Sequence, residues 1–213
     1  EGFCRTDPPT QPQLAVPLEV VIYIYLVKHK SISNKQQAIG DLCLIAFYYL
    51  LRVGEYCYQA KSRNTRTTRI RLTDIVLWEH NQRLPLTLPQ DELLRRCTEA
   101  TIIIENQKNG VRNQPITHDR LPNTASCTVA AIIRRICHTL QHAPADDPNS
   151  LNLHLGDYFT PGQTGVKGPQ PADINKVIKD AVIALKLDQK GLLPNLVSSH
   201  SLRAGGAMAM HLN

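Results

Sequence analysis

His200 and Arg203 stand three residues apart in Ser199-His200-Ser201-Leu202-Arg203-Ala204-Gly205-Gly206-Ala207, a stretch of otherwise small and apolar residues. On a helix that spacing puts an imidazole and a guanidinium on one face. The unbonded N–H groups of a helix's first turn add a field that suits an anion. The same residues also serve an ordinary capped helix with a surface histidine and arginine. A second arginine, Arg52, follows seven uncharged residues, Ile45 to Leu51, in Leu50-Leu51-Arg52-Val53-Gly54-Glu55-Tyr56. A charge in apolar surroundings is costly unless something opposite meets it. Glu55, three positions on, can hold the Arg52 guanidinium in one orientation, and the planar fork of that group grips two phosphate oxygens at once. An internal Arg52–Glu55 ion pair at a helix end is the competing use of these two residues. Two such arginines and a histidine suggest a pocket for one phosphate.

The composition neither forces nor forbids that use. The 213 residues suffice for one well-buried domain, and 42% hydrophobic with 20% charged is ordinary globular usage. A net charge of +6, from 24 Lys and Arg against 18 Asp and Glu, favours a polyanionic partner without demanding one. Six scattered cysteines with no Cys-x-x-Cys pair read as small buried hydrophobes of a reducing compartment. The longest apolar stretches, residues 20–27 and 45–51, are too short to span a bilayer. There is no start methionine, so the chain reads as a piece of something longer.

The elements that must position the arginines follow from periodicity and punctuation. Residues 1–17, with Pro8, Pro9, Pro12 and Pro17 among polar residues, read as a linker or tail, and the folded domain as 18–213. A short helix through Val20, Ile24 and Val27 precedes a second, capped at Ser33 or Asn34 and apolar through Ala38, Leu42, Ile45 and Tyr49, with Arg52 at its C-terminal end. Strands are expected at 75–78, 100–105 and 112–117, the last two joined across Asn109-Gly110, a hairpin-turn pair that carries Lys108 at or beside its tip. A helix capped near Thr124 or Ser126 runs to Leu140, with Arg134 and Arg135 on its polar face. Pro171-Ala172-Asp173 opens another helix, closed by the turn at Gly191, and the last begins at Ser198 or Ser199. The expected class is α+β, mainly helical, with a small antiparallel sheet at one edge. Lys61, Arg63, Arg66, Arg69 and Arg71 crowd a polar stretch that is either a solvated loop or a set of phosphate contacts.

Taken together, Leu-Arg followed after two positions by Glu, then a lysine on a hairpin, then His200-Ser201-Leu202-Arg203, resembles the signature of the tyrosine recombinase (phage integrase) family. The extension Ala204-Gly205-Gly206-Ala207 is similar to versions in eukaryotic mobile elements of the crypton and DIRS type. The resemblance, spanning residues 18–213, implies DNA strand cleavage and rejoining through a 3′-phosphotyrosyl intermediate, with no metal and no cofactor. It implies that Arg52 and Arg203 clamp the phosphate, Lys108 protonates the leaving 5′ oxygen, His200 assists and Glu55 orients Arg52. Arg112 competes for the role of Lys108 and joins the basic run as a DNA contact. The implied partners are double-stranded DNA and further copies of the protein assembled on it, with no membrane, in the nucleus if the source is eukaryotic and otherwise inside the cell. The family's nucleophile lies downstream of the second box. All seven tyrosines here precede His200, so the chain is expected to be a catalytic domain cut before its nucleophile and inactive alone. A non-catalytic DNA-binding module of the same descent is the alternative. His138 and His142, one helical turn apart, have metal-like spacing but no third ligand nearby in sequence, and read as surface residues.

Overall fold

A computed structural model of the chain describes residues 13–58, 67–106, 112–123, 125–142, 153–162 and 165–212. The expected strands and basic positions at 61, 63, 66 and 108 therefore divide: the strands are described, whereas Lys61, Arg63, Arg66 and Lys108 lie outside the described residues. Among the described residues the fold is α+β, with seven α-helices and one four-stranded antiparallel sheet.

At the centre lies α2 (Asn34–Tyr48), in which every residue from Ala38 to Phe47 is buried. A segment with one charge in ten residues can be covered on all sides, and α1 (Leu18–His29), α5 (Thr128–His142) and the final helix α7 (Ser199–Leu212) all pack against it. The one charge, Asp41, is met by Arg134 of α5, whose Nε and Nη2 donate to Oδ1 at 3.0 and 2.6 Å. Arg135 departs from the polar face expected of it. It is buried, and its guanidinium donates to the backbone carbonyls of Leu155 and Asp157, so the segment that bridges to residues 70–72 is also tied to α5 by a charged donor.

The end of α2 differs from expectation in a way that matters for the site. The helix stops at Tyr48, Leu50 takes a left-handed conformation (φ 53°), and the Leu51 N–H bonds back to the Ala46 carbonyl at 3.0 Å. That is a Schellman closure with leucine where glycine is usual. Arg52 consequently leaves α2 and becomes the N-cap of a separate turn, α3 (Val53–Tyr56).

The sheet has strand order β2-β1-β3-β4, with β1 at Ile75–Glu79, β2 at Gln82–Leu84, β3 at Glu99–Asn106 and β4 at Arg112–Asp119. Alternation places Ile75, Leu77, Ala100, Ile102 and Ile104 inward against the helices. The β1–β2 hairpin escapes sequence reading because its two-residue turn is His80-Asn81. Both residues are left-handed, at φ 47° and 69°, the backbone of a tight hairpin without the glycine that advertises it. The short helix α4 (Gln90–Arg96) is likewise not foreseen. The helix α6 (Pro171–Ala184) ends earlier than expected, at a left-handed Lys186, and Gly191 instead closes the 3-10 turn Asp188–Lys190.

The folded domain also begins before residue 18. Val16 is 1% exposed, and the Leu14 and Val16 N–H groups donate to the Leu196 and Ser201 carbonyls at 2.9 and 3.2 Å. The alternation Leu14, Val16 supplies apolar area that the neighbouring prolines obscure, so Val16 joins the core and Leu14 packs against it.

Candidate functional site

Arg52 and Glu55 form one unit. At position three of α3 the Glu55 carboxylate reaches back, and Oε2 accepts the Arg52 backbone N–H at 2.7 Å. Its Oε1 lies 3.5 Å from Nη1 of the same residue, and the carboxylate itself is 1% exposed. The Glu55 carbonyl accepts the Ile70 N–H at 2.9 Å, so the turn is anchored from behind as well. Burial pushes the Glu55 carboxyl above its usual range. The Arg52 backbone N–H and the charges of Arg52 and Arg203 pull it back.

Arg203 comes to the same place from the far end of the chain. It sits one turn into α7, three residues ahead of Gly206. A Cβ on Gly205 would stand 2.0 Å from the Val16 carbonyl oxygen, and one on Gly206 2.0 Å from the Phe47 carbonyl oxygen. The Gly-Gly pair thus lets the α7 backbone rest directly on the last turn of α2 and on the segment at Val16, as close approach of two backbones requires. The contact brings Arg203 beside the Arg52–Glu55 unit. Burial lowers the Arg203 guanidinium pKa, the Arg52 charge lowers it further, and Glu55 offsets part of both. Both guanidinium charges act on the buried Glu55 carboxylate, with Arg52 alone at ion-pair distance from it, and among the described residues Arg203 forms no ion pair. A guanidinium's planar fork is suited to gripping the oxygens of an anion.

His200 is exposed on the first turn of α7, on the Arg203 side of that helix. The first-turn N–H groups do not point at an anion as the sequence suggests. The Ser199 N–H donates to Asn175 Oδ1 at 2.8 Å, the His200 N–H to Ser198 Oγ at 3.2 Å and the Ser201 N–H to the Ser198 carbonyl at 2.9 Å. In return the Ser198 N–H donates to Ser201 Oγ at 3.1 Å. Asn175 and Ser198 thus take up the first N–H donors of the helix within the protein, so the direct anion donors at this place are the side chains.

The expected DNA contacts fare differently. Arg69 is turned inward, ion-paired with the buried Asp157 and placed over the Tyr58 ring at 5.8 Å. Arg71 Nη2 lies 3.1 Å from Asp74 and 3.2 Å from Glu105. Both guanidinium groups are held by carboxylates that lie far away in sequence or face them across a turn, so their role is to join the 69–72 segment to the 154–157 loop and to β3. Arg112 is exposed at the first rung of β4, opposite Asn106. His138 lies against His142 with the rings tilted, His142 stacks on Phe159, and among the described residues no three His, Cys, Asp or Glu side chains are grouped to hold a metal. Cys43, Cys57, Cys97 and Cys127 are buried free thiols. No described helix is long and apolar enough to cross a membrane.

No protein-family model, no curated protein and no solved structure matches the chain. What the site can do is therefore a matter of its own geometry and charge.

Proposed function

We propose that the chain is the catalytic domain of a DNA breaking and rejoining enzyme of the tyrosine recombinase kind, with a fold of that type. The observation that carries this reading is the gathering of Arg52, Glu55 and Arg203, two guanidinium groups and one buried carboxylate from segments far apart in the chain. Arg52 and Arg203 grip the non-bridging oxygens and stabilise the charge that accumulates as phosphorus becomes five-coordinate. Glu55 keeps the Arg52 fork in one orientation, so little reorganisation is needed at the moment of attack. His200 hydrogen-bonds the phosphate or passes a proton. Lys108, on the connection between β3 and β4, or Arg112 beside it, protonates the leaving 5′ oxygen. Partners are duplex DNA and further copies of the protein bound to paired sites.

The test has two parts. The chain is expected to bind a short fluorescein-labelled duplex with an affinity that falls steeply with salt, and Arg52→Ala or Arg203→Ala to weaken it. In a protein running past Asn213 into a tyrosine, Arg203→Lys keeps the charge but loses the fork, so the covalent DNA adduct disappears while duplex affinity stays within about threefold. Adduct formation at the wild-type rate in that variant sinks the clamp. A second reading is a DNA-binding module of the same kind without cleavage. Salt-sensitive binding with no adduct in the extended protein would select it.

A further inference from the structure

We infer that His118 is a positioning residue of the two-arginine site, locking the last turn of α2, and through it Arg52, to the sheet. This rests on the reading just proposed. His118 lies on β4 with Ala100 of β3 as its cross-strand partner. Its Nε2 and the Tyr48 carbonyl oxygen are 2.8 Å apart, and since a carbonyl only accepts, Nε2 carries the proton and donates it. The adjacent residue, Tyr49, returns the tie: its hydroxyl donates to the Ala100 carbonyl at 2.6 Å, and its ring meets the His118 ring edge-on with centroids 4.6 Å apart. One rung of the β3–β4 ladder is thus bonded twice to two consecutive residues at the end of α2.

Those two residues stand where the helix must be stopped and redirected. The Tyr48 carbonyl is among the last four that α2 cannot satisfy by itself. Immediately after Tyr49 come the left-handed Leu50, the Leu51 N–H bonded back to Ala46, and then Arg52. The preceding carbonyl, that of Phe47, is the one on which Gly206 of α7 rests. The sheet and α7 therefore grip the same turn from two sides, and that turn sets where Arg52 stands relative to Arg203. Without the His118 donor the Tyr48 carbonyl loses its partner, the Schellman closure frays, and Arg52 no longer starts from a fixed point.

A double-mutant cycle read by anisotropy of a short labelled duplex tests this. In the wild-type chain Arg52→Ala is expected to weaken binding about tenfold, the worth of a charge-assisted hydrogen-bonded contact. In a His118→Ala background the same change should cost less than about twofold, because a displaced Arg52 has little left to lose. His118→Gln, whose amide nitrogen reaches the place of Nε2, should restore the full cost. An equal cost of Arg52→Ala in both backgrounds overturns the positioning role and leaves the two-arginine site standing. No cost of Arg52→Ala in the wild-type chain removes the site itself, and the positioning role with it. Should His118→Ala fail to fold, Tyr49→Phe, which deletes only the hydroxyl tie to Ala100, takes its place in the cycle: a reduced cost of Arg52→Ala supports the positioning role, and an undiminished cost overturns it.

Discussion

Gly206→Ala isolates the contact that brings the two arginines together. The added Cβ would stand 2.0 Å from the Phe47 carbonyl oxygen and 2.8 Å from Leu50 Cδ2. The closest comfortable approach of a carbon to a carbonyl oxygen is about 3.3 Å, so α7 must retreat from the end of α2 by about 1.3 Å. A side chain could swing aside, but the obstacle is the backbone of a residue inside the most buried helix of the protein. Replacing a helical glycine by alanine gains about 1 kcal/mol by itself, whereas overpacking a filled contact costs about 1–3 kcal/mol. With backbone as the obstacle the upper end applies, leaving a net loss of about 1–2 kcal/mol. Arg203 lies on the same rigid helix and retreats with it, so duplex affinity should fall by about fivefold to tenfold. Urea unfolding measures the first effect and fluorescence anisotropy the second. Ala207→Gly is the control: it is exposed one residue further on, and should lose about 1 kcal/mol of helix propensity with duplex binding unchanged. A Gly206→Ala protein that is more stable than wild type and binds DNA equally well would show that close backbone packing does not place Arg203.

Two further outcomes follow from the charges. Arg203→Met removes a guanidinium disfavoured by burial and by the like charge of Arg52, so stability in urea should hold or rise by up to about 1 kcal/mol while duplex affinity falls about tenfold; a marked loss of stability with unchanged binding would make Arg203 a structural ion-pair partner instead. His138 accepts the Phe159 N–H on Nε2 at 3.4 Å, and burial, then the Arg135 and His142 charges, press its pKa from 6.5 to about 4. The folded state thus resists a proton that the unfolded chain takes up, so stability is full above pH 6.5 and is lost as pH falls towards 4. Allowing for solvent screening at this partly exposed ring, the loss is about 1–2 kcal/mol in the wild-type chain, and it should be missing from the stability curve of His138→Gln measured by urea unfolding across that pH range. A parallel pH dependence in the two proteins would refute the assignment.

Much of this fold is written in short-range signals. The apolar periodicity of α2, the serines before α7, Pro171 with Asp173 before α6, and the Ile-rich strands on either side of Asn109-Gly110 mark their elements because each depends on neighbours within a few residues. Where the deciding contact is distant, the same residues mislead. Arg135 carries a charge and looks like surface, yet it is buried to hold the Leu155 and Asp157 carbonyls. Arg69 and Arg71 look like phosphate contacts, yet carboxylates reach them from Asp157 and Glu105. Leu50 and His80-Asn81 adopt left-handed turns with none of the usual glycines, so the stop of α2 and the β1–β2 hairpin are set by what packs around them.

The candidate site divides along the same line. Residue types and spacing determine that Glu55 returns to Arg52 and that Ala204-Gly205-Gly206-Ala207 makes a helix face thin enough for another backbone, since both are local consequences of helix geometry. That the backbone in question is the last turn of α2, that Arg203 thereby comes within electrostatic range of Arg52 and the buried Glu55, and that Asn175 and Ser198 take the first N–H groups of α7 were decided only in three dimensions. The physical reason is range: a cap or a turn answers to residues three or four places away, whereas a pocket's charge balance is the sum over every group that folding happens to bring near.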